Sequence, residues 1–319
     1  MIKKNVLSIL ITICLVTCFS MYYVHVNISI SNSKKLNSNL IIDKENSTLN
    51  SNSDEIKILQ LTDLQFSSLP DAALALSGAK RIIIKANPDL IVLTGDNVFN
   101  YSGKKHLKIL IDFMDSFAIP CAVVYGNHDY GSFVSIEDQN KLYENSEYCI
   151  FKKGSLKNSS GNYHYNIKRN DEVMASLIFM DSGKNGFNEA HVKWYENVVA
   201  SINNVTSLLF FHIPLEETKI AYEKYLSDNK DIDGLNLEGI HHQKTNVGLF
   251  EKVKELGSTK VIAYGHDHLN NLILDYEGVS LCYGLKTGKA SYFTNKLQGG
   301  NLYTVNIEGK IDIERIYEK

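Results

Sequence analysis

Polar residues able to bind a metal ion recur directly after successive short apolar runs, and this recurrence constrains the chain more than any other feature. Asp63 follows the run 56–61, Asp96 follows 90–93, and Asn127 and His128 follow 121–125. His212 ends the run 207–211, while His266 and His268 end 260–264. Short apolar runs of this kind, separated by amphipathic stretches, read as strands of a largely parallel sheet with helices between them. The stretch 71–86, with Pro70 near its start and Asn87-Pro88 at its end, reads as a helix. So does 104–117, with Leu107, Leu110, Ile111 and Met114 on one face. The order β-α-β-α-β predicts right-handed crossovers. In such sheets ligand sites gather beyond the carboxyl ends of the strands, so residues far apart in the chain converge. Carboxylate and amide oxygens together with imidazole nitrogens suit first-row divalent or trivalent metals.

The second half continues with apolar strands at 176–180 and 208–211 and helices at 189–200 and 246–256. Alternating segments at 272–274, 279–283 and 302–307 predict antiparallel strands. The expected fold is α/β, with two packed mixed β-sheets flanked by helices. Substrate choice is expected to lie in loops 132–157 and 219–245. Cys121, Cys149 and Cys282 have no CxxC spacing and read as buried small hydrophobes. His241-His242 reads as loop and His164 as a strand residue between Tyr163 and Tyr165. His106 and His191 read as helix-surface residues.

Three regions are expected: a membrane anchor or signal segment at 1–28, a polar linker at 29–54 and one large domain at 55–319. Lys3 and Lys4 precede an apolar run at 6–26 that is free of Asp, Glu, Lys and Arg, and about 20 such residues cross a bilayer as a helix. The flanking lysines favour a cytoplasmic N-terminus and an extracellular domain. A cleaved segment would make the protein secreted instead. The Ser-, Asn- and Lys-rich stretch that follows reads as a tether. A net charge of -3 gives no basic footprint for nucleic acid.

Asp63, Gly95-Asp96, Gly126-Asn127-His128-Asp129, His212 and Gly265-His266-Asp267-His268 together resemble the calcineurin-like metallophosphoesterase superfamily. Phe211-His212-Ile213-Pro214-Leu215 and Gly284-Leu285-Lys286-Thr287-Gly288 are most similar to its purple-acid-phosphatase-like branch. The resemblance implies a four-layer α/β/β/α fold and two divalent or mixed-valence metal ions, Mn, Fe or Zn. It implies that Asp63 and His268 hold the first metal and that Asp96 bridges both. Asn127, His212 and His266 would complete the second site. His128 would contact the substrate phosphate and protonate the leaving group, with Asp129 as its orienting partner. Asn97 and Asp267 gain interest from their positions beside these ligands.

Two residues depart from the family pattern. Gln65 stands where many members have a further His ligand, and Phe99 where purple acid phosphatases have a ligand Tyr. Either Gln65 binds through its side-chain oxygen, or the first site has fewer protein ligands; a weaker or different metal follows. Tyrosinate ligation would require Tyr101 or another Tyr to move in. The implied activity is hydrolysis of a phosphate mono- or diester by a metal-bridging hydroxide, on the outer face of the membrane. The alternatives are a nucleotide or lipid pyrophosphate hydrolase, and a non-catalytic surface protein that keeps the fold for binding.

Overall fold

The computed structural model describes residues 35–319. Its five-stranded sheet is built around three parallel strands, β3 (Glu55–Leu61), β4 (Leu90–Thr94) and β5 (Cys121–Val124). On the far side of β3 lie β12 (Gly299–Asn306) and β13 (Ile311–Tyr317), both antiparallel to their neighbours. All five residues of β4 are buried, which is why its sequence is a continuous apolar run rather than an alternation. Helix α1 (Leu69–Ala86) crosses from β3 to β4 and packs on the outside of this sheet. Ser68 caps it by accepting from the Asp71 N–H, and Asn87 ends it in the left-handed region. Ala72, Leu76, Ala79 and Ile83 form its buried face. Helix α2 (Lys104–Asp115) makes the next crossover and buries Leu107, Leu110 and Met114 as the periodicity predicts, whereas Ile111 is only partly buried.

Among the described residues the second sheet has eight strands, running β1 (Leu40–Asp43), β2 (Thr48–Ser51), β6 (Tyr163–Arg169), β7 (Glu172–Phe179), β8 (Ser207–Phe210), β9 (Thr259–Tyr264), β11 (Val279–Tyr283) and β10 (Ile273–Tyr276) from edge to edge. Its centre is parallel: β7, β8, β9 and β11. β10 closes one edge, antiparallel to β11. Helices α4 (Glu189–Ser201), α5 (Glu216–Ser227) and α6 (Leu249–Leu256) cover its outer face, where Val199, Phe250 and Val253 meet Ile178, Leu209 and Ile262. The two inner faces pack on each other, with the Phe210 ring edge-on to Tyr303 at 5.9 Å. The expected fold, two mixed sheets between helices, is therefore the observed one.

A polar tie joins the sheets beside the strand ends. Gln60 on β3 donates to the Tyr264 carbonyl of β9 at 3.0 Å and accepts from the Tyr303 hydroxyl at 2.7 Å. Fully buried, this amide meets its hydrogen-bonding needs only when both sheets are in place.

Three expectations need correction. The tether read at 29–54 is not one over its second half: β1 (Leu40–Asp43) and β2 (Thr48–Ser51) form a hairpin, and β2 pairs in parallel with β6 (Tyr163–Arg169). Its polar residues build the turn, where Asn46 donates to Asp43, while Leu40 and Leu49 are buried. The stretches 132–157 and 219–245 are not all loop, since α3 (Ile136–Glu144) lies in the first and most of α5 in the second. The membrane-spanning location is corrected to what the structure describes: among the described residues no helix is long and apolar enough to cross a membrane. The run at 6–26, on which that expectation rested, lies outside the described residues.

Candidate metal centre

Register brings the site together. Leu61 of β3 lies opposite Leu93 of β4, and Thr94 opposite Val124 of β5, so Asp63, Asp96 and Asn127 leave the first sheet at one level. In the second sheet Phe210 lies opposite Ala263, so His212 and His266 leave together. The loops are cross-tied: Asp63 N–H donates to the Gly95 carbonyl and Gln65 N–H to the Asp96 carbonyl. Asp63, Gln65, Asp96 and His266 all have positive φ, at 54°, 48°, 49° and 81°. Non-glycine residues held there cost about 1–3 kcal/mol each, and such strain collects at functional sites. Gly126 is required by close approach, because a Cβ at that position would stand 2.2 Å from Asp96 Oδ1.

Carboxylate and imidazole ligand atoms of Asp63, Asp96 and His212 all lie within 4.8 Å of one another, and all three residues are buried. His212 Nδ1 faces the Thr94 carbonyl at 2.9 Å, which turns Nε2 towards Asp96 Oδ1 at 3.4 Å. His268 repeats the device: Nδ1 faces the Tyr292 carbonyl at 3.0 Å, and Nε2 stands 3.3 Å from Asp63 Oδ1. A carbonyl can only accept, so each Nδ1 carries a proton, and Nε2 is the atom each ring would turn to a metal once deprotonated. Asp63 Oδ1, Asn127 Oδ1 and His212 Nε2 are buried with no hydrogen-bond partner. Buried polar atoms without partners are costly, and these three belong to the expected ligands. The donor set therefore fits a metal centre.

The buried charges of the centre shift one another. Burial pushes the Asp63 carboxyl up, but His268, His212 and Lys286 outweigh it and hold the group below the usual carboxylate range. Asp96 is likewise lowered, burial being outweighed by His212. Burial pulls His212 down, yet Asp96 and Asp63 carry it to about 10. His266 goes the other way, to about 4, through burial and the neighbouring His212.

Several expected roles are changed. Asp129 does not orient His128. Its carboxylate accepts from Gly126 N–H at 2.8 Å, from Val98 N–H at 3.1 Å and from the backbone and side chain of Asn97. It thus clamps the Asp96 loop to the Asn127 loop. Burial and Asp96 raise its carboxyl to about 7. Asn97 turns its amide to the Val124 carbonyl and Asp129 rather than to the ligands. Asp267 orients neither flanking histidine; it holds His241, accepting from its N–H and lying 2.7 Å from Nδ1. His191 is buried, not on a helix surface.

The His128 ring stacks on Phe99, centroids 4.6 Å apart, with Nε2 3.8 Å from Asp96 Oδ2 and 29% of the side chain exposed. Tyr101 faces outward against Phe133, so it gives the centre no tyrosinate. Gln65 is at the centre, but its amide nitrogen, not its oxygen, faces Asp96 at 2.8 Å. The oxygen accepts from Lys286 Nζ at 2.8 Å, and that ammonium also donates to the Asp63 carbonyl. Burial brings Lys286 down to about 8, against the pull of Asp63 and Asp96. Lys286 and Tyr292, whose ring lies 4.3 Å from that of His268, were not legible as site residues. Only the Gly284–Gly288 motif marked the first, and nothing in the sequence marked the second.

Among solved structures, a dimetal phosphatase from Danio rerio is similar in fold, with a TM-score of 0.53 at 11% identity, over 83% of this chain and 99% of that one. Four curated relatives are similar in sequence, two of them as follows. "Probable inactive purple acid phosphatase 29" of Arabidopsis thaliana is 28% identical over 75% of this chain and 73% of its own length. "Phosphatase DCR2" of Saccharomyces cerevisiae is 26% identical over 62% of this chain, which spans only 39% of that protein. The model of the calcineurin-like phosphoesterase family matches residues 56–270, about two thirds of the sequence and the part that carries every candidate ligand. The chain belongs to the calcineurin-like phosphoesterase family.

Proposed function

We propose that this protein is a metal-dependent hydrolase of phosphate mono- or diesters, with two metal ions held between the carboxyl ends of its two sheets. The observation that carries this reading is the set of unpartnered donor atoms, Asp63 Oδ1, Asn127 Oδ1 and His212 Nε2, with ligand atoms of Asp63 and His212 within 4.8 Å of buried Asp96. Asp63 and His268 would hold one ion, Asn127, His212 and His266 the other, and Asp96 both. Ions bound there would supply Lewis-acid charge for the phosphoryl group and lower the pKa of water.

The chain's own residues do the rest. The Thr94 and Tyr292 carbonyls keep the two imidazoles turned inward. His128, part-exposed at the mouth, is positioned to donate a proton to a departing alkoxide, while Phe99 fixes the plane of its ring. Asp129 keeps the loops bearing Asp96 and Asn127 in register.

A second reading, a non-catalytic protein that keeps the metal centre for binding, has specific support. Gln65 and Phe99 replace expected ligands, and three of the curated relatives are named probable inactive. The two readings part in one experiment. The purified chain, reconstituted with Mn, Fe or Zn, is assayed on p-nitrophenyl phosphate and bis-p-nitrophenyl phosphate, with Asp96→Asn as control. Metal-dependent turnover lost in the control supports the hydrolase; bound metal without turnover on either ester favours the binding protein.

A further inference from the structure

Gln65 lies between two groups whose hydrogen-bonding capacities leave it no choice of orientation. The Lys286 ammonium has only donors and the Asp96 carboxylate only acceptors. The amide oxygen must therefore face Lys286, at 2.8 Å, and the amide nitrogen must face Asp96 Oδ2, at 2.8 Å. Offering the oxygen to a metal beside Asp96 would turn the amide nitrogen onto the ammonium, donor against donor. Lys286 is itself fixed, because it also donates to the Asp63 carbonyl at 3.0 Å and is 1% exposed. Its charge stands on the Asp63 side of the centre.

We infer that Lys286 is a positioning residue for the metal centre: it holds Gln65 as a hydrogen-bond donor to Asp96 and makes the site beside Asp63 and His268 the weaker of two cation sites. The inference rests on the metal-dependent reading above and assigns its two sites unequal strength. On the Asp63 side only Asp63, His268 and the shared Asp96 remain as side-chain ligands, next to a fixed positive charge. The other side keeps Asn127, His212, His266 and Asp96, and among the described residues no lysine or arginine is hydrogen-bonded to its loops. Gln65 serves instead to orient the shared carboxylate, as partners behind metal ligands do.

The test is calorimetric titration of the metal-stripped full chain with Mn²⁺ or Zn²⁺, with bound metal counted by elemental analysis. The wild type is expected to show one tight equivalent and a second about tenfold or more weaker, the scale on which such partners act. In Lys286→Met the charge is gone and the Gln65 oxygen is released, so the second affinity should rise about tenfold. Gln65→Leu removes no ligand on this account but frees the shared Asp96, so it should weaken both equivalents alike, by about tenfold. Loss of the second metal alone in Gln65→Leu, with the tight equivalent unchanged, would show that Gln65 is a ligand and overturn the inference, as would two equal sites in the wild type. An unchanged second affinity in folded Lys286→Met would overturn it too. Should that variant fail to fold, Gln65→Leu and the wild-type isotherm decide the matter. Absence of metal binding in every protein, Asp96→Asn included, would overturn this inference and the phosphoesterase reading together. Unequal sites without turnover would uphold this one alone.

Discussion

At the scale of single residues, the distinction that matters is between side chains that face the centre and those that hold such side chains in place. His128 is of the first kind: part-exposed, stacked on Phe99, and within 3.8 Å of Asp96 without being tied to it by its ring. His128→Ala is expected to lower kcat by about 100-fold or more while leaving metal content unchanged, read by steady-state assay beside elemental analysis. Asp129 is of the second kind. Asp129→Ala would strand the buried N–H groups of Asn97, Val98 and Gly126. It should therefore cost about 2–4 kcal/mol of stability, along with metal affinity. Were Asp129 the orienting partner of His128, kcat alone would fall and thermal melting would be unmoved. The positions of the candidate ligands were legible because each follows an apolar strand. The roles of Asp129 and Gln65 were not, because each depends on an unlike partner set by tertiary packing; Gln65 and Lys286 are 221 positions apart.

Among elements, the β1-β2 hairpin and the N-terminus of α4 show where reading by composition fails. Residues 40–51 alternate too briefly to register as strands, and their Ser, Asn and Asp serve the turn and the ends of the hairpin. Asp89, just before β4, binds this segment by accepting from Asn39 N–H and anchors β3 by accepting from Lys57 N–H. Leu49 is fully buried, so Leu49→Ala should cost about 2–4 kcal/mol in denaturant unfolding; a residue in a solvated tether would cost nothing. His191 was misplaced because its helix is amphipathic but its ring turns back over the first turn, against Ser159 at 3.2 Å. Burial holds it at about 4, below the ordinary 6.5. Between those values the unfolded chain takes up a proton that the folded chain refuses. Stability should therefore fall as pH drops from 6.5 to 4, by at most about 3 kcal/mol from this group, and change no further through it below 4. His191→Gln should flatten that part of the melting-temperature profile; an unchanged slope would assign the acid sensitivity elsewhere.

For the whole molecule, the centre lies where neither sheet alone could build it. Asp63, Asp96 and Asn127 come from the ends of β3, β4 and β5, whereas His212, His266 and His268 follow β8 and β9. The packing of Phe210 on Tyr303 and the Gln60 tie set the sheets at one spacing, and the ligand atoms meet only at that spacing. A metal bound there would link the sheets to each other, and anything that binds only the folded state stabilises it by mass action. At a free-metal concentration 100 times Kd that amounts to about 2.7 kcal/mol per site, or several degrees in a domain of this size. Chelation should therefore lower the melting temperature of the wild type by several degrees. It should leave Asp96→Asn unmoved, since that variant lacks the carboxylate common to both sites. The hairpin variant Leu49→Ala, remote from the ligands, should start from a lower temperature and lose the same number of degrees to the chelator, because independent perturbations add. If the chelator shifted Asp96→Asn as much as the wild type, the stabilising ion would be bound elsewhere, and the gathering of six strand-end residues would need another explanation than metal binding.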